Sequence, residues 1–169
     1  MTYIHFIVNP ISGKGKHSIT KEFLEHYFPE TDFRLEIDYS NYKKHAIDLT
    51  KKAISQKPDI IVACGGDGTI SEIASQLVNT NIKLGIIPVG SGNGLASNLD
   101  IPKNITQAIE IIKKQKSVAI DSGRVNQHCF FSNMGLGIDA MIIKKYESTE
   151  KRTLSAYVNA SLKASSQYK

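Results

Sequence analysis

Strand-like and helix-like segments alternate along the first part of the chain, and this alternation restricts the fold more than any other feature of the sequence. Short apolar runs typical of strands occupy residues 3–8, 33–38, 59–64 and 83–88. Apolar residues recur at helical spacing around 19–27 and in 42–56, 69–78, 94–99 and 105–114. Strands that are apolar throughout and separated by helices indicate a parallel sheet covered on both faces. We therefore expect a three-layer α/β domain.

The pattern changes beyond Ser117. Residues 117–124 and 127–133 have the character of two strands joined by a turn at Val125-Asn126, with no helix between them. This arrangement predicts antiparallel β structure, followed by a helical segment over 140–169. We expect a first domain at 1–116 and the beginning of a second, incomplete β-rich domain at 117–169.

The composition is that of a soluble globular chain. Of the 169 residues, 41% are apolar and 22% are charged. The longest apolar runs fall short of the roughly 18 residues that span a bilayer, and the polar N-terminus lacks the apolar core of a signal peptide. The two cysteines, Cys64 and Cys129, have no metal-site spacing, so we expect free thiols in the core and a cytoplasmic location.

The positive charge is concentrated near the C-terminus. The net charge is +5, of which residues 141–169 carry +4. The earlier part of the chain is nearly neutral, which argues against a nucleic-acid partner, because binding nucleic acid requires several basic side chains on one face. The basic segment predicts peripheral contact with an acidic membrane surface. A solvated face is the alternative.

Three of the predicted strands end in polar, glycine-rich loops. These loops are residues 9–15, 65–69 and 90–94. In an open parallel sheet the carboxyl ends of the strands meet at one edge, where ligands bind against loop amides and helix N-termini. Glycines allow backbone N–H groups to approach a phosphate, and hydroxyl and amide side chains add donors. The loops predict a binding site, with simple chain reversal as the alternative.

The common nucleotide motifs are absent or weak. A P-loop requires a glycine five residues before Gly-Lys, and Val8 and Pro10 occupy those positions. The dinucleotide pattern fails at its third position, where Ser18 and Ser71 stand. Residues 135–140 match its degenerate form, but they follow an antiparallel segment and lack the downstream acidic residue. Neither motif explains the glycine-rich loops.

The Gly-Gly-Asp-Gly-Thr pentad at 65–69 is more specific. It resembles the signature of lipid kinases of the diacylglycerol kinase and sphingosine kinase type, and also that of NAD kinases and phosphofructokinases. Asn-Pro-Ile-Ser-Gly at 9–13 resembles the first lipid-kinase motif, and residues 88–96 resemble the third. Ser40 with His45-Ala46 and the block 121–140 extend the similarity from Asn9 to about Tyr157. The Asn-Glu dipeptide expected in NAD kinases is missing.

This resemblance implies a nucleotide-binding domain of the NAD kinase and diacylglycerol kinase type, followed by the start of an antiparallel β module. It implies transfer of the γ-phosphate of ATP, with Mg²⁺, to the free hydroxyl of a diacylglycerol- or sphingoid-type lipid. Asp67 is the implied catalytic residue, able to orient Mg²⁺ or to accept a proton, with other metal ligands expected in a missing second half. The residues implied to bind ATP are Asn9, Pro10, Ser12, Gly13, Lys14, Ser40, Gly65, Gly66, Asp67, Gly68, Thr69, Glu72, Gly90, Ser91, Gly92 and Asn93.

Alternatives remain for several of these residues. Asp67 at the start of a helix has the position of a helix cap. Lys14 and Lys16 are either phosphate contacts or solvated side chains, and His5 and His17 are expected to be structural. Gly94 stands where bacterial diacylglycerol kinases have an aspartate after Gly-Asn, so the lipid subclass is left open.

The length of the chain leaves three functional interpretations. The first is the nucleotide-binding portion of an ATP-dependent lipid kinase. The second is a truncated nucleotide-binding module without activity, since family kinases carry a further β-sandwich domain. The third is a kinase of small molecules similar to NAD kinase. We expect the isolated chain to bind ATP, to show little lipid kinase activity, and to bury its unpaired strands by self-association or against residues 140–169.

Overall fold

The computed structural model describes residues 1–15, 17, 19–132, 134–148 and 154–167. The chain divides into two compact units, Met1–Ser132 and Asn133–Lys169. The boundary expected at 117 is a different division, based on the change of β pattern, and it stays a prediction. No helix in the described ranges is long and apolar enough to cross a membrane.

The first unit contains six strands and five helices in the described residues. The strands are β1 (Thr2–Val8), β2 (Phe33–Tyr39), β3 (Ile60–Gly65), β4 (Lys83–Pro88), β5 (Gly123–Val125) and β6 (His128–Phe130). The helices are α1 (Lys21–Glu25), α2 (His45–Ser55), α3 (Asp67–Leu77), α4 (Gly94–Asn98) and α5 (Ile105–Lys113), with a 3₁₀ turn at Ser12–Gly15. Strands β1 to β4 and helices α1 to α5 correspond to the segments predicted from periodicity.

The main sheet is parallel, with strand order β2-β1-β3-β4. Val8, at the end of β1, lies opposite Tyr39 on β2 and Cys64 on β3. The loops that follow these strands therefore leave from the same edge. The α/β fold class with a parallel sheet and a separate antiparallel pair is confirmed.

Two apolar cores lie on opposite faces of this sheet. Phe6 and Val62 belong to the core that includes residues of α5, and Ile7 and Ala63 belong to the core that includes residues of α2 and α3. Neighbouring residues of β1 and β3 thus contribute to opposite faces, as the pleat of a strand requires. The central strands are buried on both sides, which explains why their sequences are apolar throughout.

Local capping fixes the start of two helices on one face of the sheet. The backbone N–H of Phe23 donates to the Thr20 side chain before α1, and that of Gln107 donates to Asn104 Oδ1 (3.0 Å) before α5. These side chains satisfy amides that have no partner within the helix. α5 therefore begins at Ile105, the first residue of the helix predicted over 105–114.

The antiparallel strands are much shorter than expected. The predicted strands at 117–124 and 127–133 reduce to β5 and β6, which pair with each other only, and Asn133 lies outside the described residues. Residues 117–122 line a groove beside the free edge of β4 without pairing with that strand, and Val118 is 78% exposed. The Phe130 ring lies over Gly123, where a Cβ would meet it at 2.0 Å. A hairpin this small has too few partners to extend further.

The two cysteines occupy different environments. Both are free thiols, as expected. Cys64 is buried in β3, whereas Cys129 in β6 is only partly buried, because the two-stranded sheet covers little of its surface. The expectation that both lie in the core is wrong for Cys129.

The second unit is a pair of helices in its described part. These are α6 (Ile138–Glu147) and α7 (Leu154–Gln167), consistent with the predicted helical segment. Ala160 and Ala164 of α7 are buried, and the rings of Tyr146 and Tyr157 meet edge to face at 5.6 Å.

Candidate nucleotide site

Three glycine-rich loops meet at the carboxyl edge of the parallel sheet. The first follows β1, the second joins β3 to α3, and the third joins β4 to α4. We call them the first, second and third loops, and they span residues 9–15, 65–69 and 89–94. Backbone hydrogen bonds from Asn9 to the Cys64 carbonyl (2.9 Å) and from Val89 to the Gly65 carbonyl (3.1 Å) continue the strand pairing into the loops.

A side-chain hydrogen bond joins the first loop to the second. Asn9 Nδ2 donates to Thr69 Oγ1 (3.0 Å), and Asn9 Oδ1 accepts from the backbone N–H of Ile11 (3.2 Å). Thr69 is buried, and a Cβ on Gly65 would collide with its side chain at 2.5 Å. Asn9 therefore fixes both its own loop and the first turn of α3.

Asp67 joins the second loop to the third. Its Oδ2 accepts from the backbone N–H of Asn93 (2.7 Å), and its Oδ1 accepts from that of Gly94 (2.5 Å). These two amides stand at the start of α4, whose own cap residue, Asn93, makes no side-chain hydrogen bond to the amides of that helix. The carboxylate thus caps the neighbouring helix rather than its own, and it holds the two loops together through a charged acceptor.

The Asn93 side chain fixes the conformation of the third loop through hydrogen bonds within that loop. Its backbone adopts the left-handed region (φ 65°), which asparagine tolerates better than most residues, and the residue is only 1% exposed. Asn93 Oδ1 accepts from the Gly90 N–H (3.0 Å), and Nδ2 donates to the Gly90 carbonyl (2.7 Å). A left-handed residue with a paired side chain gives the loop one defined shape.

Glycine is required where the loops touch. A Cβ on Gly90 would lie 2.4 Å from the Cα of Gly66, and a Cβ on Gly13 would lie 2.3 Å from the Val89 carbonyl oxygen. Gly13 also has a positive φ of 61°. By contrast, a Cβ on Gly68 would meet nothing within 4 Å. The backbones therefore approach closely at two positions, and the edge near Gly68 is open.

Several polar groups at this edge keep free hydrogen-bonding capacity. Within the described residues, the hydroxyls of Ser12 and Ser91 have no partner, and Thr69 Oγ1 accepts a bond while its own proton remains available. Pro10, Ser91 and Gly92 are exposed. The side chain of Lys14 and all of Lys16 lie outside the described residues.

Ser40 and Glu72 lie beside the loops rather than within them. The Ser40 N–H donates to the Val8 carbonyl (2.8 Å), which places Ser40 at the same edge, after β2. Partial burial raises the pKa of the Glu72 carboxyl, while the backbone of Lys44 and the ammonium groups of Lys44 and Lys43 lower it. Glu72 thus lies near the positive charge of the turn that precedes α2.

His17 belongs to the first loop region, because α1 begins only at Lys21. Its Nε2 lies 3.0 Å from the Asn9 carbonyl oxygen and donates to it. Its Nδ1 is buried without a partner among the described residues. The expected structural role agrees with the first contact, and no sequence signal pointed to the second feature.

The described residues contain no group of three or more histidine, cysteine, aspartate or glutamate side chains that could hold a metal ion. Asp67 is the carboxylate at the loops. Mg²⁺ is commonly bound by one or two carboxylates together with substrate phosphates. One carboxylate beside glycine-rich loops is a donor set that fits a metal shared with a phosphate ligand.

The comparisons with known proteins agree with this geometry. The model of the diacylglycerol kinase catalytic domain matches residues 3–125. An uncharacterised protein of Synechocystis is 31% identical over 94% of this chain and 39% of its own length. A Klebsiella pneumoniae protein named "Probable lipid kinase YegS-like" is 30% identical over 75% of this chain and 43% of its own length.

A solved structure also shares the fold of this chain. The crystal structure of a diacylglycerol kinase from Bacillus anthracis matches with a TM-score of 0.61 and 26% identity, covering 76% of this chain and 49% of that one. The chain spans about half the length, or less, of these relatives. The family match covers the sheet and all three loops, and the chain belongs to the diacylglycerol kinase catalytic-domain family.

Proposed function

We propose that this chain is the nucleotide-binding portion of an ATP-dependent lipid kinase. The observation that carries the proposal is the joining of three glycine-rich loops, through Asn9 and Asp67, at one edge of the parallel sheet. Loops held this way present backbone N–H groups to an anion without having to reorganise, which is the main requirement of phosphoryl transfer.

The phosphates of ATP would lie against the amides of residues 12–15 and 66–69. Thr69 supports this role, because its hydroxyl accepts from Asn9 and can still donate its proton to a phosphate oxygen. The unpaired hydroxyls of Ser12 and Ser91 add two further donors. The remaining residues inferred from the family motifs, including Ser40 and Glu72, would order the loops or contact the adenosine.

Asp67 has two functions in this proposal. Each of its oxygens accepts one backbone bond, and each keeps a second lone pair. These lone pairs would hold Mg²⁺ that arrives with ATP, or accept the proton of the attacking hydroxyl. Bound Mg²⁺ would neutralise charge on the phosphates. The acceptor oxygen forms a bond to the γ-phosphorus, the bond to the bridging oxygen breaks, and ADP leaves.

An apolar groove supports a lipid rather than a soluble acceptor. The groove has a volume of about 640 Å³ and runs along the free edge of β4. Leu95 and Leu99 of α4, the helix that Asp67 caps, lie in its wall with Phe131. An acyl or sphingoid chain in this groove would bring its hydroxyl end towards the third loop. A cytoplasmic protein that meets acidic membranes peripherally through its basic C-terminal segment would have access to such lipids.

A catalytically silent nucleotide-binding module is the second candidate. The match covers 43% of the length of the Klebsiella pneumoniae relative, so any activity that depends on the rest of that length would be missing from residues 1–169 alone. An acceptor such as NAD, in place of a lipid, is the third. In both cases the loops would bind ATP as proposed here.

One assay separates the candidates. Purified protein is incubated with labelled ATP, Mg²⁺ and a panel of diacylglycerol and sphingoid lipids, with NAD as the comparison acceptor, while light scattering reports self-association. Phosphorylated lipid, even at a low rate, supports the kinase, and ATP binding without any product supports the module. Phosphorylated NAD with unmodified lipids would overturn the proposal.

A further inference from the structure

An exposed tyrosine is stacked on a histidine in the turn between β2 and α2. The rings of Tyr42 and His45 are nearly parallel, with an interplanar angle of 15° and centroids 4.2 Å apart. The imidazole covers one face of the phenol ring, yet Tyr42 remains 62% exposed. A large, flat, apolar surface is thus open on the other face.

The stack is held in place by its own turn. The backbone N–H of Asn41 donates to His45 Nδ1 (3.1 Å), and the His45 N–H donates to the Tyr42 carbonyl (3.2 Å). Since Nδ1 accepts this bond, the ring proton of the neutral imidazole sits on Nε2. These bonds restrict the imidazole, and the imidazole in turn restricts the tyrosine.

The turn lies next to the phosphate-binding edge. Ser40, two residues before Tyr42, is bonded to the end of β1, from which the first loop begins. On the other side, α2, which follows the turn, shares an apolar core with α3 through Ala46 and Ile73. Asp67 and Glu72 are five residues apart on α3, a rise of about 7 Å. This offset is comparable with the separation between the phosphates of a nucleotide and its base.

We propose that Tyr42, supported by His45, is the platform on which the nucleobase of the bound nucleotide stacks. The inference rests on the proposed function, because it requires that the three loops hold the phosphates. The loops themselves recognise phosphate and offer no flat apolar surface. A purine base has a π face that stacks on an aromatic ring in an offset, parallel arrangement, as His45 already does on the other side.

The alternative role for the stack is to support the start of α2. Lys44, the cap residue of that helix, has a left-handed backbone (φ 69°) and makes no side-chain cap hydrogen bond. A stack that only stabilises this turn would affect the thermal stability of the protein and not its choice of ligand. The two roles therefore predict different measurements.

The test compares the binding of Mg²⁺-ATP with that of Mg²⁺-tripolyphosphate, which has the phosphates but no base, by calorimetry on the whole chain. We expect wild type to prefer ATP, and Tyr42→Leu to bind ATP about five- to tenfold more weakly while binding tripolyphosphate unchanged. Tyr42→Phe keeps the ring and should retain the preference. Tyr157→Leu changes another exposed tyrosine, in the unit that carries none of the loops, and serves as the matched control.

Each result decides the inference. If Tyr42→Leu keeps the full preference for ATP, or loses affinity for both ligands equally, the platform is refuted while phosphate binding by the loops stands. If wild type binds tripolyphosphate and ATP equally well, the base makes no contact and the inference fails alone. If wild type binds neither ligand, the proposed function and the inference fail together.

Discussion

Replacing Gly90 by alanine tests how closely the second and third loops must pack. A Cβ at this position would lie 2.4 Å from the Cα of Gly66 and 2.8 Å from Asn93 Oδ1. Carbon atoms in contact are normally about 3.5–4.0 Å apart, so the loops would have to separate by about 1 Å. Gly66 is the milder position, because its Cβ would stand 3.2 Å from the Cα of Gly90.

The hydrogen bonds at this contact set the expected magnitude. Asn93 makes two bonds to Gly90, and Asp67 accepts two more from the start of α4. Each intramolecular hydrogen bond contributes about 0.5–1.5 kcal/mol net, and more when one partner is charged. Loss of two of the four predicts a decrease of about 2–3 kcal/mol in the free energy of unfolding. We expect at least about a tenfold loss of ATP affinity, since the amides no longer converge.

Urea unfolding and calorimetric titration with ATP measure both effects. Gly68→Ala is the matched control for stability, because its Cβ meets nothing within 4 Å and alanine is favoured over glycine within a helix by up to about 1 kcal/mol. Gly68→Ala should be as stable as wild type or more so. A Gly90→Ala protein with wild-type stability and wild-type affinity would refute the account of loop packing.

Three further predictions concern individual side chains. Asp67→Asn should lower ATP affinity only several-fold, because one oxygen still accepts a backbone bond. In a hybrid enzyme that carries the second half of the Klebsiella relative, the same substitution should lower kcat by about 10²–10⁴-fold. Equal losses in ATP affinity and kcat would make Asp67 a positioning residue only. Burial, with a contribution from Glu36, raises the pKa of Tyr3 to about 12. The neutral phenol is therefore favoured in the folded state, and its contribution to stability is intact below pH 10 and is lost as the pH approaches 12. Tyr3→Phe should reduce this loss of stability, measured by urea unfolding at each pH. An unchanged pH profile would contradict this role of Tyr3. Burial also raises the pKa of the Cys64 thiol. A thiol reagent should therefore modify the partly exposed Cys129 first in the native protein. Rapid labelling of Cys64 would contradict this and show that β3 opens readily.

Local sequence patterns were sufficient to predict the sheet and the position of its loops. β4 has the predicted bounds, and the periodicity of the helices placed their apolar faces on the two cores. Hydrophobic spacing and strand length are properties of short segments, so they can be identified without knowledge of the packing. The carboxyl edge followed from the parallel sheet alone.

The contacts between loops could not be predicted in this way. Asp67 bonds to amides 26 and 27 residues away, and Gly90 packs on Gly66, because β3 and β4 are neighbours in the sheet. The strand order that creates these contacts is a property of the whole domain. The strand expected at 117–124 is too long for a related reason. Its local pattern is suitable for a strand, but residues 117–122 lie in the groove beside β4 without joining the sheet.

Amide chemical shifts during an ATP titration test the central claim most directly. The chain has a mass of 18.7 kDa, which suits two-dimensional ¹H–¹⁵N spectra of the whole protein. We predict saturable shifts, with one common Kd, at amides of all three loops, including Gly13, Gly66 and Ser91. The amides of α6 and α7 should not follow that curve. Shifts confined to other surfaces, or no saturable shift with millimolar ATP and Mg²⁺, would contradict a nucleotide site at this edge of the sheet.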